Sequence, residues 1–591
     1  MCGIFGYYHR DGRSLEADVL AVMGDAIRHR GPDDRGVYAT KGMAIGNQRL
    51  SIIDLQGGHQ PFVSDDGEII VVQNGEIFNH IELAQDLARV GHPCRTHSDT
   101  EVLLRLYESE GIGFLHKLNG MFAFAIIDKR EQVMYIVRDR IGVKPLYVHD
   151  DGRQLTFASE IKSILKAGIP KPAMDKEALH HYLSFNYVPA PYTMYEGIKH
   201  LMPGHAMKVT QDGSKTWRWW NLADVQPVHG RSEADWIDEF NAIIDDAVRL
   251  RLRCDVPFGA FLSGGVDSST VVGLMARHMT EPVKTFCIGF HDPRYDESGF
   301  AQAAANRFGT EHTMKRVEPD MLDLWPMATY HCDQPHGDVS FLPTYHVSQL
   351  AARDVKVVLT GDGADELFAG YDKYKDFFAQ PYIADLDDAA FQRRYFDSIS
   401  LFNKEGKRKL YAAEMQAGVG QLDSYEVAKP WFDAVPHQDR INQALFLDMQ
   451  LLLSGNNLIK PDRMGMAVSL EARTPFLDYR MMEFAFRMPG ELKLKRGETK
   501  YLYKKAVSSL IGVELAYRKK QMFTVPVGDW FRLEKSKYCE QRLSKLNNSN
   551  KLCESENLKS LLKEHIVGVN NNTREIRALV ALSHWLDVFE A

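Results

Sequence analysis

From Cys2 to about Val209 the hydrophobic positions fall in short runs or in alternation: GIFGYY, AIGNQRLSIID, EIIVVQNGEI, MFAFAIID, VMYIVRD, PLYVHD and LTFAS. Runs of that length, separated by Gly, Asp and Asn turns, predict strands. Helical spacing interrupts them around Glu16 to His29 and Ile81 to Val90, and again after Thr100. This half therefore reads as layered α and β with antiparallel sheets. The polar stretch QDGSKTWRWWNLADVQPVHGRS follows without sustained periodicity, which places a first domain at 2–210 and a linker at 211–232.

The pattern changes from Glu233 onward. A helix through Leu252 leads to the strand-like VPFGAFL, a glycine turn, the helical TVVGLMARHM, the strand VKTFCIGF, another helix and the strand VKVVLTG. Strands alternating with helices predict a doubly wound parallel sheet, whose ligands sit at the carboxyl ends of its strands. After about Tyr371 the chain reads as mostly helical, LFLDMQLLL and YLYKKAVSSLI being clear cases, so the second domain spans 233–591 with helical C-terminal additions.

Composition narrows the function more than the fold. A length of 591 residues suggests roughly three to six units or two large ones. With 71 Lys+Arg against 79 Asp+Glu the net charge is -8, which offers no broad positive field for nucleic acid and points to small-molecule partners. Seven scattered cysteines without a CxxC pair fit a reducing compartment, and the start MCGIFGYYHR lacks the pattern of a signal peptide. No apolar run approaches the roughly 18 residues of a membrane helix. A soluble cytoplasmic enzyme without membrane partners is the expectation.

Two constellations carry chemistry. Cys2 follows the initiator methionine, and its removal would join a thiol to an α-amine that titrates near pH 8 or just below, about right for a general base on the same residue. Behind it come RHRGPDDRG (Arg28 to Gly36), NQRLSIID (Asn47 to Asp54), VVQNGEIFNH (Val71 to His80) and HSDTE (His97 to Glu101), all with polar groups at turns beside apolar runs. In this order the motifs resemble the class II glutamine amidotransferases. That resemblance implies an N-terminal-nucleophile hydrolase fold, an αββα sandwich. In it Cys2 attacks the glutamine amide, and Asn74 and Gly75 form the oxyanion hole. Arg49 pairs with the α-carboxylate, while Glu76 and Asp99 engage the α-amino group. The chemistry suits the residue types, since a guanidinium reads a carboxylate bidentately and amide N–H groups hold an oxyanion. His92, Cys94 and His97 lie close in sequence but lack the second ligand pair of a zinc knuckle and read as a loop.

The second constellation begins at FLSGGVDSST (Phe261 to Thr270), with Leu262, Ser263, Gly264 and Gly265 between a strand and a helix starting near Ser268. Glycine amides at a helix N-terminus make an anion site, and the Walker lysine is absent. SGGxDS resembles the pyrophosphate loop of the ATP pyrophosphatases. LTGDGADELFAGY (Leu359 to Tyr371) adds Asp362, Asp365 and Glu366 after a strand, acids that repel one another unless a cation lies among them. PDRMGMAVSLEARTPFLD (Pro461 to Asp478), RGETKYLYKKA (Arg496 to Ala506) and RKKQMFTVPVGDWFR (Arg518 to Arg532) extend the likeness, and most of the chain resembles the glutamine-hydrolysing asparagine synthetase family.

That family likeness implies ATP contacts at Leu262, Ser263, Gly264, Gly265, Asp267, Ser268, Ile288, Thr360 and Gly361. It implies Mg²⁺ at Asp267 and Asp365, and Lys500 neutralising charge on the transferring phosphates. Asp362 stands where the family has a glutamate base, one methylene shorter, and HGDVSFL (His336 to Leu342) departs from the Thr/Arg pattern of some members near the acceptor. The expected reactions are glutamine hydrolysis at Cys2 and ATP-driven adenylation of a carboxylate, joined by a water-poor ammonia tunnel that segments such as GMFAFAIID would wall. Aspartate is the favoured acceptor, a sugar uronic acid or secondary-metabolite carboxylate the alternative, and a homodimer a family-based expectation.

Overall fold

A computed structural model describes residues 2–519, 526–548 and 551–590. Residues 520–525 of the last C-terminal block, and Met1, lie outside the described residues.

Two six-stranded antiparallel sheets build the first half. One runs Ile198–His200, Tyr147–Asp150, Gln154–Ala158, Cys2–His9, Met43–Arg49, Asp34–Thr40. The other runs Gly213–Arg218, His205–Thr210, Val133–Arg138, Gly120–Asp128, Ile69–Ile77, Phe62–Val63. The two-residue period of a strand decides how they stack. Ile4, Tyr8, Ile45, Ile70, Val72, Ala123, Ala125 and Ile127 meet in one cluster between the sheets. The intervening Phe5 and Tyr7 turn outward onto Leu20 and Met23 of helix Ala17–Asp25. On the far side Val71, Phe122 and Phe124 cover Leu83 and Leu87 of helix His80–Arg89 and Leu103 and Leu106 of helix Asp99–Glu110. Helix, sheet, sheet, helix is the αββα sandwich that the motifs implied.

A five-stranded parallel sheet organises the second half in the order Glu311–Val317, Lys284–Phe290, Phe258–Phe261, Val357–Leu359, Glu471–Arg473. Numbered along the chain this is 3-2-1-4-5, so the winding reverses between Phe258–Phe261 and Val357–Leu359. Ligands of such sheets bind in the crevice at that reversal. The loops after these two strands are SGGVDS and GDGADE, so the topology brings the two motifs together.

Three features depart from the sequence reading. The expected linker holds an edge strand, Gly213–Arg218, paired with His205–Thr210, and Trp219 behind it is buried with its indole donating to the Arg138 carbonyl at 3.2 Å. The short strand Glu471–Arg473 carries no periodic signal, yet all three residues are buried. Helix Arg440–Asp448 passes into a π-helical stretch, Met449–Asn457, of the kind found at functional sites. No described helix is long and apolar enough to cross a membrane.

Lys493 shows what the packed second half costs. It is fully buried, its ammonium lies 4.6 Å over the Phe486 ring, and burial pushes its pKa down to about 7 against partial support from Asp439. The unfolded chain keeps that proton up to about pH 10.4, so from pH 7 upward the unfolded state binds more protons and stability rises with pH. Lys493→Met should therefore stabilise the protein at pH 7 by about 1–4 kcal/mol, with the gain shrinking toward pH 10. Urea unfolding at several pH values measures this, and a gain independent of pH would contradict it.

Candidate active sites

Cys2 opens its strand directly opposite Arg49, and cross-strand partners share a face. That face is the inner one of Ile4, so the thiol looks toward the second sheet, where Asn74 occupies the inner face of Ile69–Ile77. Asn74 Oδ1 accepts from the Cys2 nitrogen at 3.1 Å, and its Nδ2 donates to Ser159 Oγ at 3.4 Å. Ser159 in turn accepts from the Ile4 amide at 3.0 Å. Burial pushes the Cys2 thiol pKa up, with Glu76 adding to the shift and the Leu50 backbone and Arg49 opposing it. Gly75 is obligatory: at φ +140° a Cβ would stand 2.0 Å from the Met121 carbonyl oxygen. Arg49 Nη2 donates to the carbonyls of Ile53 at 3.0 Å and Asp54 at 2.8 Å, which fixes its guanidinium beside Cys2.

Asp99 begins helix Asp99–Glu110, and its Oδ2 accepts from Gln73 Nε2 and the Ile77 amide, both at 2.9 Å, bracing the strand that carries Asn74, Gly75 and Glu76. Glu76 Oε1 lies 3.6 Å from Arg473 Nη2, while Arg473 Nε holds Glu471 at 2.6 Å. Burial, then Glu471 and Asp99, push the Glu76 carboxyl well above its ordinary range. Glu76 and Glu471 share the Arg473 guanidinium, and Asp99 adds negative charge beside Glu76, an excess of acid suited to a ligand ammonium. Arg473 also reaches the other site, because its carbonyl accepts from the Thr360 amide at 2.9 Å.

The two halves meet through a buried ionic network. Arg30, fully buried, donates to the Cys2 carbonyl at 3.1 Å, to Glu160 at 2.9 Å and to both oxygens of Asp462 at 2.9 Å. Arg463 lies 2.7 Å from Glu160 and 3.6 Å from Asp333, and Lys162 pairs with Glu160 and, at 2.8 Å, with Asp333. Beside this network one apolar cluster runs from Leu50 and Ile52, next to Arg49, through Met121, Ile141 and Val143, to Leu359, Ala364 and Leu367 in the acid loop. A cavity at the junction is lined by Met121, Ile141 and Leu477 on one hand and by the charged Asp139, Arg140 and Arg251 on the other. Of GMFAFAIID only Gly120 and Met121 reach its wall, since the rest of that strand packs between the sheets and helices.

In the second site Gly264 takes φ +69°, and a Cβ there would meet the Phe300 carbonyl carbon at 2.3 Å. Gly265 caps helix Val266–His278 with no side chain of its own, and its amide donates to Ser263 Oγ at 3.3 Å, so the loop's amides and hydroxyls together form an anion cradle. Ser263 and Ser268 face each other across the loop at 3.2 Å. Leu262 is buried beneath it, and Ile288 is buried near the end of the neighbouring strand. Gly361 lets the loops touch, since its Cβ would stand 2.7 Å from Asp267 Cβ. Lys500 lies between them, bonding Asp267 at 2.6 and 2.7 Å and Asp365 at 2.6 Å. Burial opposes its charge, but the two carboxylates outweigh burial and raise its pKa. Asp362 accepts from Thr360 Oγ1 at 2.7 Å, and burial pushes its carboxyl up. Glu366 accepts from the Tyr371 hydroxyl at 2.7 Å and Asn457 Nδ2 at 2.6 Å.

Arg30, Asp462, Glu160 and Arg473 carry no function in the sequence reading, because an isolated charge there reads as surface. Arg518 sits in a block noted only for likeness, yet it donates to the Gly264 carbonyl at 2.8 Å and pairs with Glu297 at 2.8 Å, clamping the glycine loop.

Comparison with known proteins agrees with this two-part layout. Residues 239–587 match the asparagine synthase family model, and residues 1–220 match a glutamine amidotransferase domain. The chain is 33% identical to glutamine-hydrolyzing asparagine synthetase 1 of Bacillus subtilis, over 99% of this chain and 96% of that protein. It is 37% identical to a putative asparagine synthetase 2 of Methanocaldococcus jannaschii, over 65% and 78%. It is 28% identical to amidase chyE of Penicillium rubens, over 90% and 89%.

Asp462→Asn leaves Arg30 and Arg463 short of one buried countercharge, and should destabilise the protein by about 3–5 kcal/mol while lowering glutamine turnover through the Cys2 carbonyl. Breaking the exposed Arg89–Asp86 pair by Arg89→Ala should change stability by less than about 1 kcal/mol. Equal effects of the two substitutions in denaturant unfolding would contradict the assigned role of the network.

Proposed function

Since this chain belongs to the glutamine-hydrolysing asparagine synthetase family, we propose that it forms asparagine from aspartate, with ATP as the activating nucleotide and glutamine as the nitrogen donor. The observation that best supports this reading is the single apolar cluster joining the surroundings of Cys2 to the acid loop, with an acidic ammonium pocket at one end and a glycine phosphate cradle at the other.

In the first site the Cys2 nitrogen, once Met1 is removed, is an amine. Asn74 Oδ1 holds that amine where it takes the thiol proton, which answers the burial that raises the thiol pKa. The thiolate attacks the carboxamide carbon, and the Gly75 amide with Asn74 Nδ2 stabilises the oxyanion. The amine returns the proton to the leaving nitrogen, ammonia departs, and water hydrolyses the thioester. Arg49 holds the α-carboxylate, while Glu76 and Asp99 hold the α-ammonium.

Free ammonia is mostly ammonium in water, so the nucleophile must travel where water is scarce. The apolar cluster offers that route. In the second site the glycine loop and the N-terminus of helix Val266–His278 receive the phosphates, and Lys500 offsets charge developing on them, a role suited to a compact ammonium. The acceptor carboxylate attacks the α-phosphorus of ATP, pyrophosphate leaves, and ammonia displaces AMP from the acyl-adenylate. Asp267 and Asp365 converge from two loops on the Lys500 ammonium, and their carboxylate oxygens are the donor type that Mg²⁺ takes. They would hold the ion, which would neutralise phosphate charge. Asp362, with its carboxyl pushed up, is the group placed to take a proton from the attacking ammonia. The full-length likeness to a protein named an amidase keeps a second acceptor class, a uronic acid or secondary-metabolite carboxylate, as the competing reading.

Incubation with amide-labelled glutamine, ATP, Mg²⁺ and a carboxylate panel should give labelled asparagine and AMP. Label in another amide, or only in ammonia with aspartate present, would overturn the acceptor. Cys2→Ala should abolish glutamine use by about three orders of magnitude or more and spare synthesis from added ammonia. Lys500→Met should do the reverse, retaining glutamine hydrolysis and losing AMP formation. Joint loss of both activities in either folded variant would contradict two separate sites.

A further inference from the structure

Next to the acid loop lies a polar side-chain cluster that neither half-reaction described above employs. The π-helical stretch Met449–Asn457 presents its last two residues to it. Asn457 Nδ2 donates to Glu366 at 2.6 Å and to the Tyr371 hydroxyl at 3.0 Å, while Asn456 Nδ2 donates to Asp338 Oδ2 at 3.1 Å. One turn further on, Lys460 Nζ lies 3.2 Å from Asp338 Oδ2 and donates to Ser340 Oγ at 2.8 Å. Asp338 and Ser340 come from HGDVSFL, the segment that departs from the Thr/Arg pattern.

Three observations make this a ligand site rather than a structural ion pair. The side chains of Lys460 and Asp338 keep 19% and 24% exposure, close to the 19% and 18% of Asp267 and Asp365, so the pair is as accessible as the phosphate-site acids are. Lys460 lies close enough to Asp362 to lower its pKa. Burial works against the Asp338 charge, but Lys460 and Arg577 hold its carboxyl well below the ordinary range, so an ionised Asp338 stands beside the Lys460 ammonium with Arg577 adding to the positive field. A simple carboxylate or uronic acid has no cationic group to pair with the anion. The zwitterionic end of an α-amino acid complements both, through charge-assisted hydrogen bonds.

We propose that Lys460 binds the α-carboxylate and Asp338 the α-ammonium of the acceptor, so that an acidic amino acid presents its side-chain carboxylate to ATP at the acid loop. Asn456 and Ser340 position the pair. This rests on the reading of the second site as the place of adenylation. It deepens that reading by naming the residues that select an amino acid over other carboxylates.

The test compares aspartate with succinate, which keeps both carboxylates and lacks the ammonium, as acceptors in AMP formation. The parent protein should use aspartate at least about tenfold better in kcat/KM, the value of one charge-assisted contact left unpaired. Asp338→Asn should raise the aspartate KM about tenfold or more and leave succinate use unchanged, closing the gap. Lys460→Met should raise the KM of both, Lys460→Arg should restore most of it, and the KM for ATP and glutamine hydrolysis should stay within about twofold in all three. Succinate used as well as aspartate by the parent protein, or Asp338→Asn lowering both acceptors equally, would overturn the assignment. Parent protein that amidates only a carboxylate without an amino group would overturn the acceptor reading itself. Asparagine formation that is insensitive to both substitutions would overturn the role of the cluster alone.

Discussion

Placing Arg30, Arg463 and Lys162 in a dry interface is unfavourable unless every charge is answered, since removing ions from water costs several kcal/mol each. Here Glu160 is met by Arg30, Arg463 and Lys162, Asp462 by Arg30, and Asp333 by Lys162 and Arg463. Because the partners come from both halves of the chain, the network is satisfied in one relative placement only. Arg30 adds the link to chemistry, as the guanidinium that neutralises Asp462 also holds the Cys2 carbonyl. The position of Cys2, the proposed nucleophile, is therefore a property of the assembled interface, more than of the αββα sandwich alone.

A second thread runs beside it. Glu76, which we propose holds a ligand ammonium, faces Arg473, whose carbonyl accepts from Thr360 in the acid loop. The edge strand Glu471–Arg473 is thus a shared wall, contributing side chains to one site and backbone to the other. That explains why a three-residue strand at the margin of a sheet is fully buried. At the other end the winding reversal of the parallel sheet brings Asp267 and Asp365 to opposite sides of Lys500, so topology supplies convergence that neither loop has alone.

The parts legible in sequence are those that a contiguous motif carries. Cys2, Asn74, Gly75 and the SGGVDS loop belong here, because backbone conformation and close approach leave little choice of residue. Gly75 at φ +140° and Gly264 at φ +69° are the physical reasons the motifs look as they do. The interface was not legible. Arg30 and Asp462 are 432 residues apart, and each alone looks like a solvated charge. Strand periodicity also failed where a strand is short and covered on both faces, as at Glu471–Arg473. The expected linker at 211–232 misled for a related reason: the lysine-bearing Gly213–Arg218 is a solvent-facing edge strand, whose polarity resembles that of a loop.

That ammonia passes inside the protein, along the apolar cluster held shut by the ionic network, is tested most directly by isotope competition. Amide-¹⁵N glutamine is supplied with aspartate and ATP in the presence of excess unlabelled ammonium at slightly acidic pH, where free ammonia is scarce. Asparagine carrying almost entirely the glutamine nitrogen, whatever the ammonium concentration, is the expected result. Asparagine whose label falls in proportion to the bulk ammonium would show that the nitrogen leaves for solvent between the sites, and would contradict the coupling.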